Sequence, residues 1–219
     1  MSPPPDFNGK GLAEPIRLMF AATGAPFKEV RYSFEMVAGG PPKRAEFDAA
    51  QASGAFPMGQ VPVLEVTKGG RTHKVAQSKA ISRYVAGQLG LLGASAEEAA
   101  DIDSLVEVVN GDLMPASNAA KTPEERAKFV AEALPKHLAT LEKLLGDKFA
   151  YGGKLSYADI MLYHLATHTH LPSPWGAGDP ATLAAIRASP KVAAIVANVA
   201  ALPGVAAWEA GRAARGEVF

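Results

Sequence analysis

The secondary-structure signals in this chain change near Gly93, and this change limits the possible folds more than any other feature. Before it, short β-branched runs at 61–66 and 72–76 flank the turn residues Lys68-Gly69-Gly70, which predicts a β-hairpin. After it, apolar residues recur only at helical spacing. The sequence therefore predicts an α+β protein in which a mixed domain precedes an all-helical one. The predicted limits of these domains are residues 1–90 and 94–219.

The first domain contains signals for two helices and one further strand. One helix is predicted from Leu12 to Thr23 and another from Ser78 to Leu89, because each carries an apolar face and is followed by glycine. Lys28–Tyr32 alternates polar and apolar side chains as a short strand does. The Gly-, Pro- and Ala-rich stretch 36–54 indicates an irregular surface segment with about one helical turn.

Helix starts in the second domain follow a clear local pattern. Three Ser or Thr residues are each followed three positions later by an acid, the signature of a capping box, in which each side chain satisfies a helix N–H. The pairs are Ser95 with Glu98, Thr122 with Glu125, and Ser156 with Asp159. Leu155 and Ile160 flank the last pair as a hydrophobic staple, which predicts a buried helix from Tyr157 to about His170.

Charge and composition exclude several classes of function. The 22 basic and 22 acidic residues leave no net charge to attract nucleic acid. No apolar run approaches the roughly 20 residues of a membrane-spanning helix, and the first residues lack the regions of a signal peptide, so we expect a soluble, cytoplasmic protein. The absence of cysteine excludes disulfides and protein-thiol nucleophiles, so any sulfur chemistry must use the ligand's sulfur.

Two short stretches carry the signals of a ligand site. FPMGQVPVLEV runs into a buried strand, and a cis Val61–Pro62 bond there would let the Val61 N–H and C=O pair with an extended peptide. Pro62 itself is interpreted as structural. Gln77 and Ser78 lie where a strand meets a helix, and the N–H groups and positive end of that helix favour a carboxylate. A small acidic peptide could be held at both points.

Several stretches together resemble the cytosolic glutathione S-transferases, nearest to the sigma-like branch that includes prostaglandin D synthases and lens S-crystallins. They are FNGKGLAEPIRLMFA, FPMGQVPVLEV, AQSKAISRYVAGQLGLLG, LSYADI and LPGVAAW. The resemblance implies a thioredoxin-like first domain, an all-helical second domain and a homodimer with glutathione near the domain boundary. It also implies that Gln60 and the Val61 backbone hold the cysteinyl part of glutathione, while Gln77 and Ser78 hold its γ-glutamyl end.

The first residues depart from this family at the position that carries its chemistry. In the sigma-like branch a Tyr precedes the Phe-Asn pair and its hydroxyl stabilises the glutathione thiolate, whereas Asp6 precedes Phe7 and Asn8 here. A carboxylate beside that sulfur would raise the thiol pKa by like-charge repulsion. Asn8 is the candidate replacement donor, and Phe7 and Lys43 are candidate glutathione contacts.

Two further features of the glutathione S-transferase family are missing, and their absence leaves more than one function possible. A full first strand is not expected, because Pro3, Pro4 and Pro5 cannot donate to a ladder, and Leu12 stands where the family commonly has an assisting Arg. The chain is therefore interpreted either as a transferase that conjugates glutathione to an apolar electrophile or as a catalytically impaired glutathione-binding or crystallin-like structural homodimer. A third interpretation is that the natural chain begins upstream, with a complete strand and the Tyr.

Two charged or metal-binding patterns have plainer explanations. His164, His168 and His170 have a spacing that suits a metal, but no acid is placed to complete a site, so we expect helix packing and no metal. Lining of a second-substrate pocket is the other interpretation of these histidines. Glu14 and Arg17 are predicted to form an ion pair on the helix surface or between the domains.

Overall fold

A computed structural model describes residues 6–35, 37, 40–168 and 180–217 of the 219. Its strands form two small sheets. β1 (Asp6–Phe7) runs parallel to β2 (Arg31–Tyr32), and β3 (Val63–Lys68) runs antiparallel to β4 (Arg71–Ala76). Gly69 and Gly70 close this hairpin with φ values of 57° and 75°, a region that glycine adopts without steric cost. The predicted hairpin is therefore confirmed.

The predicted strand Lys28–Tyr32 is wrong in its length. Only Arg31 and Tyr32 have ladder partners, Asp6 and Phe7 respectively. The reason is that β1 contributes just two residues to the described part of the chain, so there is no longer edge against which β2 could extend. Pro3, Pro4 and Pro5 lie outside the described residues.

Helices make up the rest of the described regular structure. In chain order they are α1 (Glu14–Thr23), α2 (Ala45–Ala52), α3 (Ser78–Gln88), α4 (Ala96–Glu107), α5 (Met114–Ala119), α6 (Pro123–Lys128), α7 (Leu134–Leu144), α8 (Tyr157–His168), α9 (Pro180–Ala188), α10 (Pro190–Ala200) and α11 (Pro203–Ala210). A 3₁₀ turn, Ala213–Arg215, follows α11. The mixed first part and helical second part confirm the predicted α+β class.

Two π-helical turns join these helices into longer rods, and each ends shortly before a proline. Val108–Leu113 connects α4 to α5, and Phe129–Ala133 connects α6 to α7. Pro115 and Pro135 lack an N–H, and their rings crowd the carbonyl four residues earlier. A wider turn relieves this crowding, which explains why the rods continue through the prolines.

The stretch 36–54, predicted to be irregular with about one helical turn, contains the two-turn helix α2. Its stability comes from tertiary contacts, because Phe47 is buried and stacks on Phe56 with ring centroids 5.4 Å apart. Phe7 and Tyr32 pack against Phe47 at centroid distances of 5.0 and 6.0 Å. A single aromatic anchor thus holds a helix whose own sequence periodicity is weak.

The main core lies where α1 and α3 meet the later helices. Buried side chains include Ile16, Phe20, Ile81, Val85, Ile102, Val106, Leu162, Leu165, Ile195 and Val199. α8 is central, since it packs against α1, α4 and α10. No single helix in the described regions is long and apolar enough to cross a membrane, although α9 and α10, bent by 94°, pass that length and composition test as a pair.

Charged groups are also buried at the contact between α1 and α11. Glu14 and Arg17 are both fully buried, so the predicted surface position of their ion pair is wrong. The Glu14 Oε1 atom accepts hydrogen bonds from Trp208 Nε1 at 2.9 Å and from Arg212 Nη2 at 2.5 Å. The interdomain alternative therefore agrees with this geometry, because α1 and α11 come from opposite ends of the chain.

Candidate functional site

A small cavity of about 50 Å³ lies where the loop before β3 meets the end of β4 and the first turn of α3. It is lined by Leu12, Met58, Gln60, Val61, Pro62, Ala76, Gln77 and Ser78. All four residues predicted to hold glutathione are in this set. The β3–β4 hairpin brings them together, because the two stretches precede one strand and follow its partner.

Backbone polar groups at Val61 face this cavity region without internal partners. The Val61–Pro62 peptide bond is cis. The Val61 N–H and C=O make no hydrogen bond within the described residues. Since a half-buried backbone group without a partner is unfavourable, these two groups are available to an extended ligand.

Gln77 has a backbone conformation that favours a functional interpretation. Its φ is 73° and its ψ is 113°, and it is the one residue other than glycine with positive φ in the described parts of the chain. Such a conformation costs on the order of 1–3 kcal/mol and is concentrated at binding and catalytic sites. The Gln77 side chain is exposed, and its amide nitrogen lies 3.4 Å from the Met58 sulfur.

A larger cavity of about 290 Å³ adjoins the small one and shares Leu12 and Ser78 with it. Its apolar lining consists of Leu12, Pro15, Val109, Met114, Pro115, Met161 and Leu165. Its polar lining consists of Ser78, Lys79, Ser82, Asn110, Asn118 and His164. Leu12 and Met58 are 63% and 60% exposed, unusual for large apolar side chains, so the two cavities together offer apolar surface to a ligand.

Asp6 is buried and lines neither cavity. Its Oδ2 atom lies 3.7 Å from Arg17 Nη2, and the side chain is 8% exposed. Burial raises the pKa of the Asp6 carboxyl above its ordinary value, although Arg17 and the N–H groups of Phe7 and Ala13 act in the opposite direction. Asp6 therefore acts as an internal partner of α1 in this arrangement.

Asn8, the candidate donor to the glutathione sulfur, is engaged on both sides of its amide. Its Nδ2 donates to the Gly216 carbonyl at 2.8 Å, and its Oδ1 accepts from Arg31 Nη1 at 3.0 Å. Glu217, next to Gly216, pairs with Arg31 at 2.9 Å. The last described residues thus fold over β1 and β2 and use the Asn8 amide.

Phe7 and Lys43, the other candidate contacts, do not line either cavity. Phe7 belongs to the aromatic cluster around Phe47. Lys43 is exposed and pairs with Glu35 at 3.4 Å, across an isolated bridge between the same two residues. Their proposed roles in binding glutathione would need a rearrangement of these contacts.

Ser156 and Asp159 meet at the start of α8. Asp159 Oδ2 accepts from both the Ser156 N–H and the Ser156 hydroxyl at 2.7 Å, and Oδ1 accepts from the Ala150 N–H at 2.6 Å. Asp159 is fully buried, and this burial raises the pKa of its carboxyl. The pair positions α8, and therefore Met161 and His164, at the wall of the larger cavity.

His164 lines the larger cavity, and the interpretation that these histidines line a second-substrate pocket stays a prediction. His170 lies outside the described residues. Within the described ranges, His, Asp and Glu side chains form no group of three suited to a metal ion.

Sequence reasoning missed Lys79, Asn110 and Met58 as lining residues. Lys79 follows Ser78 directly, so the first turn of α3 was the signal that could have found it. Met58 lies within the quoted loop FPMGQ but received no role. Asn110 could not be found, because its position depends on the π-helical turn between α4 and α5.

Comparison with known proteins identifies the family. The model of the glutathione S-transferase N-terminal domain matches residues 6–87, and that of the C-terminal domain matches residues 112–212. Glutathione S-transferase S1 of Drosophila melanogaster is 34% identical over 162 residues, covering 70% of this chain and 59% of that protein. A glutathione S-transferase of Anopheles gambiae is also 34% identical over 162 residues, covering 70% of this chain and 72% of that protein. The alignment thus spans less than two thirds of the Drosophila relative.

A solved structure extends the similarity to nearly the whole chain. Prostaglandin synthase D of Nilaparvata lugens superposes with a TM-score of 0.72 at 25% sequence identity, covering 97% of this chain and 98% of that one. The two domain models and relatives of this similarity place the chain in the cytosolic glutathione S-transferase superfamily, which confirms the resemblance found in its motifs.

Proposed function

We propose that this protein binds glutathione in the small cavity and conjugates it to an apolar electrophile held in the larger one. The observation that carries the proposal is that the two cavities adjoin and share Leu12 and Ser78. A thiol bound across Val61 would therefore lie next to a molecule bound against Leu12 and Met161. Proximity of this kind is a large part of the rate enhancement in a two-substrate reaction.

Four residues of the small cavity have proposed roles in binding glutathione. The Val61 N–H and C=O pair with the backbone of the cysteinyl residue, and the exposed Gln60 side chain binds beside it. The N–H groups of the first turn of α3, with Gln77 and the Ser78 hydroxyl, bind the γ-glutamyl carboxylate. The positive end of α3 adds to this affinity, since α3 extends for 11 residues.

Activation of the sulfur is the step for which the chain offers the fewest groups. The thiolate is the nucleophile, and a free thiol with a pKa of about 8.5 is only a few per cent ionised at pH 7. Asp6 stands where the family resemblance expects a Tyr hydroxyl, and its carboxyl faces Arg17. The proposed mechanism therefore relies on backbone N–H or hydroxyl donors near Leu12 and Ser78.

A second candidate function is a glutathione-binding homodimer with impaired chemistry. The observation that favours it is that Asn8, the candidate donor to the sulfur, lines neither cavity and donates one amide N–H to the Gly216 carbonyl. In this alternative the small cavity keeps its binding role and the larger cavity stores or carries an apolar ligand. In either case we infer a cytoplasmic homodimer from the family relationship.

A titration of glutathione separates these functions. The ultraviolet absorbance of the thiolate is recorded against pH with and without the protein, whose lack of cysteine leaves the ligand as the only thiol. Conjugation predicts a bound thiol pKa lowered by about two units, which corresponds to roughly 2.7 kcal/mol. Saturable binding with an unchanged pKa would support the impaired binder, and no binding would refute both.

A Ser78→Ala variant tests where glutathione binds. It should weaken glutathione binding about tenfold, because a hydrogen bond to a charged carboxylate is lost. Ser53→Ala is the matched control, since Ser53 is exposed, its hydroxyl donates only to the Ala50 carbonyl, and it lines neither cavity. Equal weakening by both variants would argue against the proposed site.

A further inference from the structure

Lys79 brings a charge into the larger cavity, whose lining is otherwise mostly apolar. It is the one side chain there with a permanent charge, and neither Asp nor Glu lines this cavity within the described residues. His164 is the one other titratable side chain of the lining. A molecule held there therefore meets a positive charge without a compensating acid.

The position of the ammonium group follows from the local backbone. Lys79 Nζ donates to the Asn110 carbonyl at 2.9 Å. In the preceding π-helical step the Met114 N–H donates to the Val109 carbonyl, five residues earlier. The same register would assign Asn110 the N–H of residue 115, and Pro115 has none. Lys79 thus satisfies a carbonyl that the proline leaves without its backbone donor.

The hydrogen bond to Asn110 fixes the position of the Lys79 ammonium group but leaves two of its N–H donors for a ligand. An ammonium group has three donors, and the Asn110 carbonyl uses one of them. No carboxylate of the described residues lies within the 4.0 Å of an ion pair with Lys79. Lys79 is exposed, so two donors and the full charge are available at the rim of the cavity. Electrostatic attraction near a protein surface is stronger than in bulk water.

We propose that Lys79 determines substrate specificity, and that the electrophile this protein accepts has an apolar body carrying a carboxylate. The body would lie against Leu12, Met114 and Met161, with the carboxylate on Lys79 Nζ. This inference rests on the proposed transferase function and names its substrate class.

An α,β-unsaturated ketone is a suitable probe, because adding a thiol to it requires neither an oxidant nor a reductant. With an α,β-unsaturated ketone, the glutathione sulfur forms a C–S bond at the β-carbon, and the alkene electron pair moves to the carbonyl oxygen as an enolate. The enolate then takes a proton from water. The probes are benzylideneacetone bearing a para carboxylate and the same ketone bearing a para carboxamide.

The test compares kcat/KM for the two probes at saturating glutathione, each divided by its uncatalysed rate constant with glutathione. Lys79→Gln removes the charge but keeps a donor, and Lys79→Arg keeps the charge. Lys68→Gln is the matched control, because Lys68 is exposed on the hairpin and lines neither cavity. We expect Lys79→Gln to reduce turnover of the carboxylate about tenfold, mainly through KM, and to leave the carboxamide unchanged.

Lys79→Arg should retain most of the carboxylate preference, and Lys68→Gln all of it. Equal effects of Lys79→Gln on both probes, or equal loss in the Arg and Gln variants, would overturn the proposal. If the wild-type protein turns over neither probe, the transferase function fails separately. Calorimetry then measures the binding of the carboxylate probe whose alkene has been hydrogenated, so that it cannot react. About tenfold weaker binding to Lys79→Gln than to the wild-type protein supports the inference, and equal affinity refutes it.

Discussion

Gly204 is the position at which the structure makes its sharpest stability prediction. It is the second residue of α11, where this helix crosses α1. A Cβ atom added to Gly204 would lie 1.8 Å from the Ala21 carbonyl oxygen and 2.9 Å from the Ala21 carbonyl carbon. Both atoms belong to the α1 backbone, so no side-chain rotation can remove the clash.

The size of the effect follows from this geometry. A carbon–oxygen contact needs about 3.3 Å, so Gly204→Ala must move α11 away from α1 by roughly 1.5 Å. That movement separates the fully buried Val205 from its neighbours and breaks the 2.9 Å bond from Trp208 to Glu14. Overpacking of about 1–3 kcal/mol and loss of a charged hydrogen bond of about 1.5–3 kcal/mol outweigh the gain of at most about 1 kcal/mol from helix propensity.

We therefore expect Gly204→Ala to lower the free energy of unfolding by about 3 kcal/mol, or the melting temperature by about 6–12 °C. Urea unfolding followed by circular dichroism measures the free energy. Gly87→Ala is the matched control, because Gly87 lies in α3, is exposed and has only a Leu92 methyl at 3.5 Å from its added Cβ. It should gain about 0.5–1 kcal/mol. A Gly204→Ala protein as stable as the wild type would refute the α1–α11 packing described above.

Three further substitutions test the buried charges. Burial raises the folded-state pKa of Asp6, so the folded protein binds the proton of this carboxyl more tightly than the unfolded chain does. Wild-type stability should therefore fall relative to that of Asp6→Asn as pH rises from about 4 through the folded-state pKa. Urea titrations at several pH values measure the difference. Glu14→Gln should cost about 2 kcal/mol, because Arg17 and Arg212 each lose one of several anionic partners; denaturation and tryptophan fluorescence report it. Asp159→Ala should cost about 3 kcal/mol, because it leaves three donors at the start of α8 unsatisfied; thermal unfolding against Ser104→Ala, an exposed helix position, provides the comparison.

Local signals predicted the elements that depend on local chemistry. The hairpin turn follows from Gly69 and Gly70, whose positive φ values few other residues tolerate. The start of α6 follows from Thr122 and Glu125, which form a complete capping box. The meeting of Gln60 and Val61 with Gln77 and Ser78 in the small cavity was also predictable, because they come from two short stretches at the ends of one hairpin.

The elements that the sequence did not predict depend on contacts between distant residues. α2 is held by Phe47 within an aromatic cluster that includes Phe7, about forty positions away, which periodicity cannot reveal. The burial of Glu14 depends on Trp208 and Arg212 at the other end of the chain. Asn110 lines the larger cavity at the π-helical turn before Pro115. The sequence shows the proline, but it does not show which side chains the widened turn directs into the cavity.

The effect of Asp6 on the pKa of the glutathione thiol depends on where its carboxyl group points. A carboxylate about 4 Å from the glutathione sulfur would raise the thiol pKa by about 0.7 unit in water and by about 3 units at an effective dielectric constant near 20. In the structure Asp6 lines neither cavity, and Arg17, which also contacts Glu14 and Glu29, offsets part of its charge. The substitution then removes a donor, and the repulsion it adds at the sulfur is smaller than that of an unpaired carboxylate.

This distinction can be measured. With the Asp6 charge partly offset by Arg17, the Asp6→Asn variant should bind glutathione with the same thiol pKa as the wild type, within about 0.3 unit. A thiol pKa that falls by a unit or more in the variant would mean that the carboxylate faces the sulfur, against the geometry described here. Ser104→Ala serves as the control for the reproducibility of the titration, because Ser104 is exposed, lines neither cavity, and its hydroxyl donates only to the Ala100 carbonyl. An unchanged pKa would direct the search for the activating donor to the groups around Leu12 and Ser78, which the two cavities share.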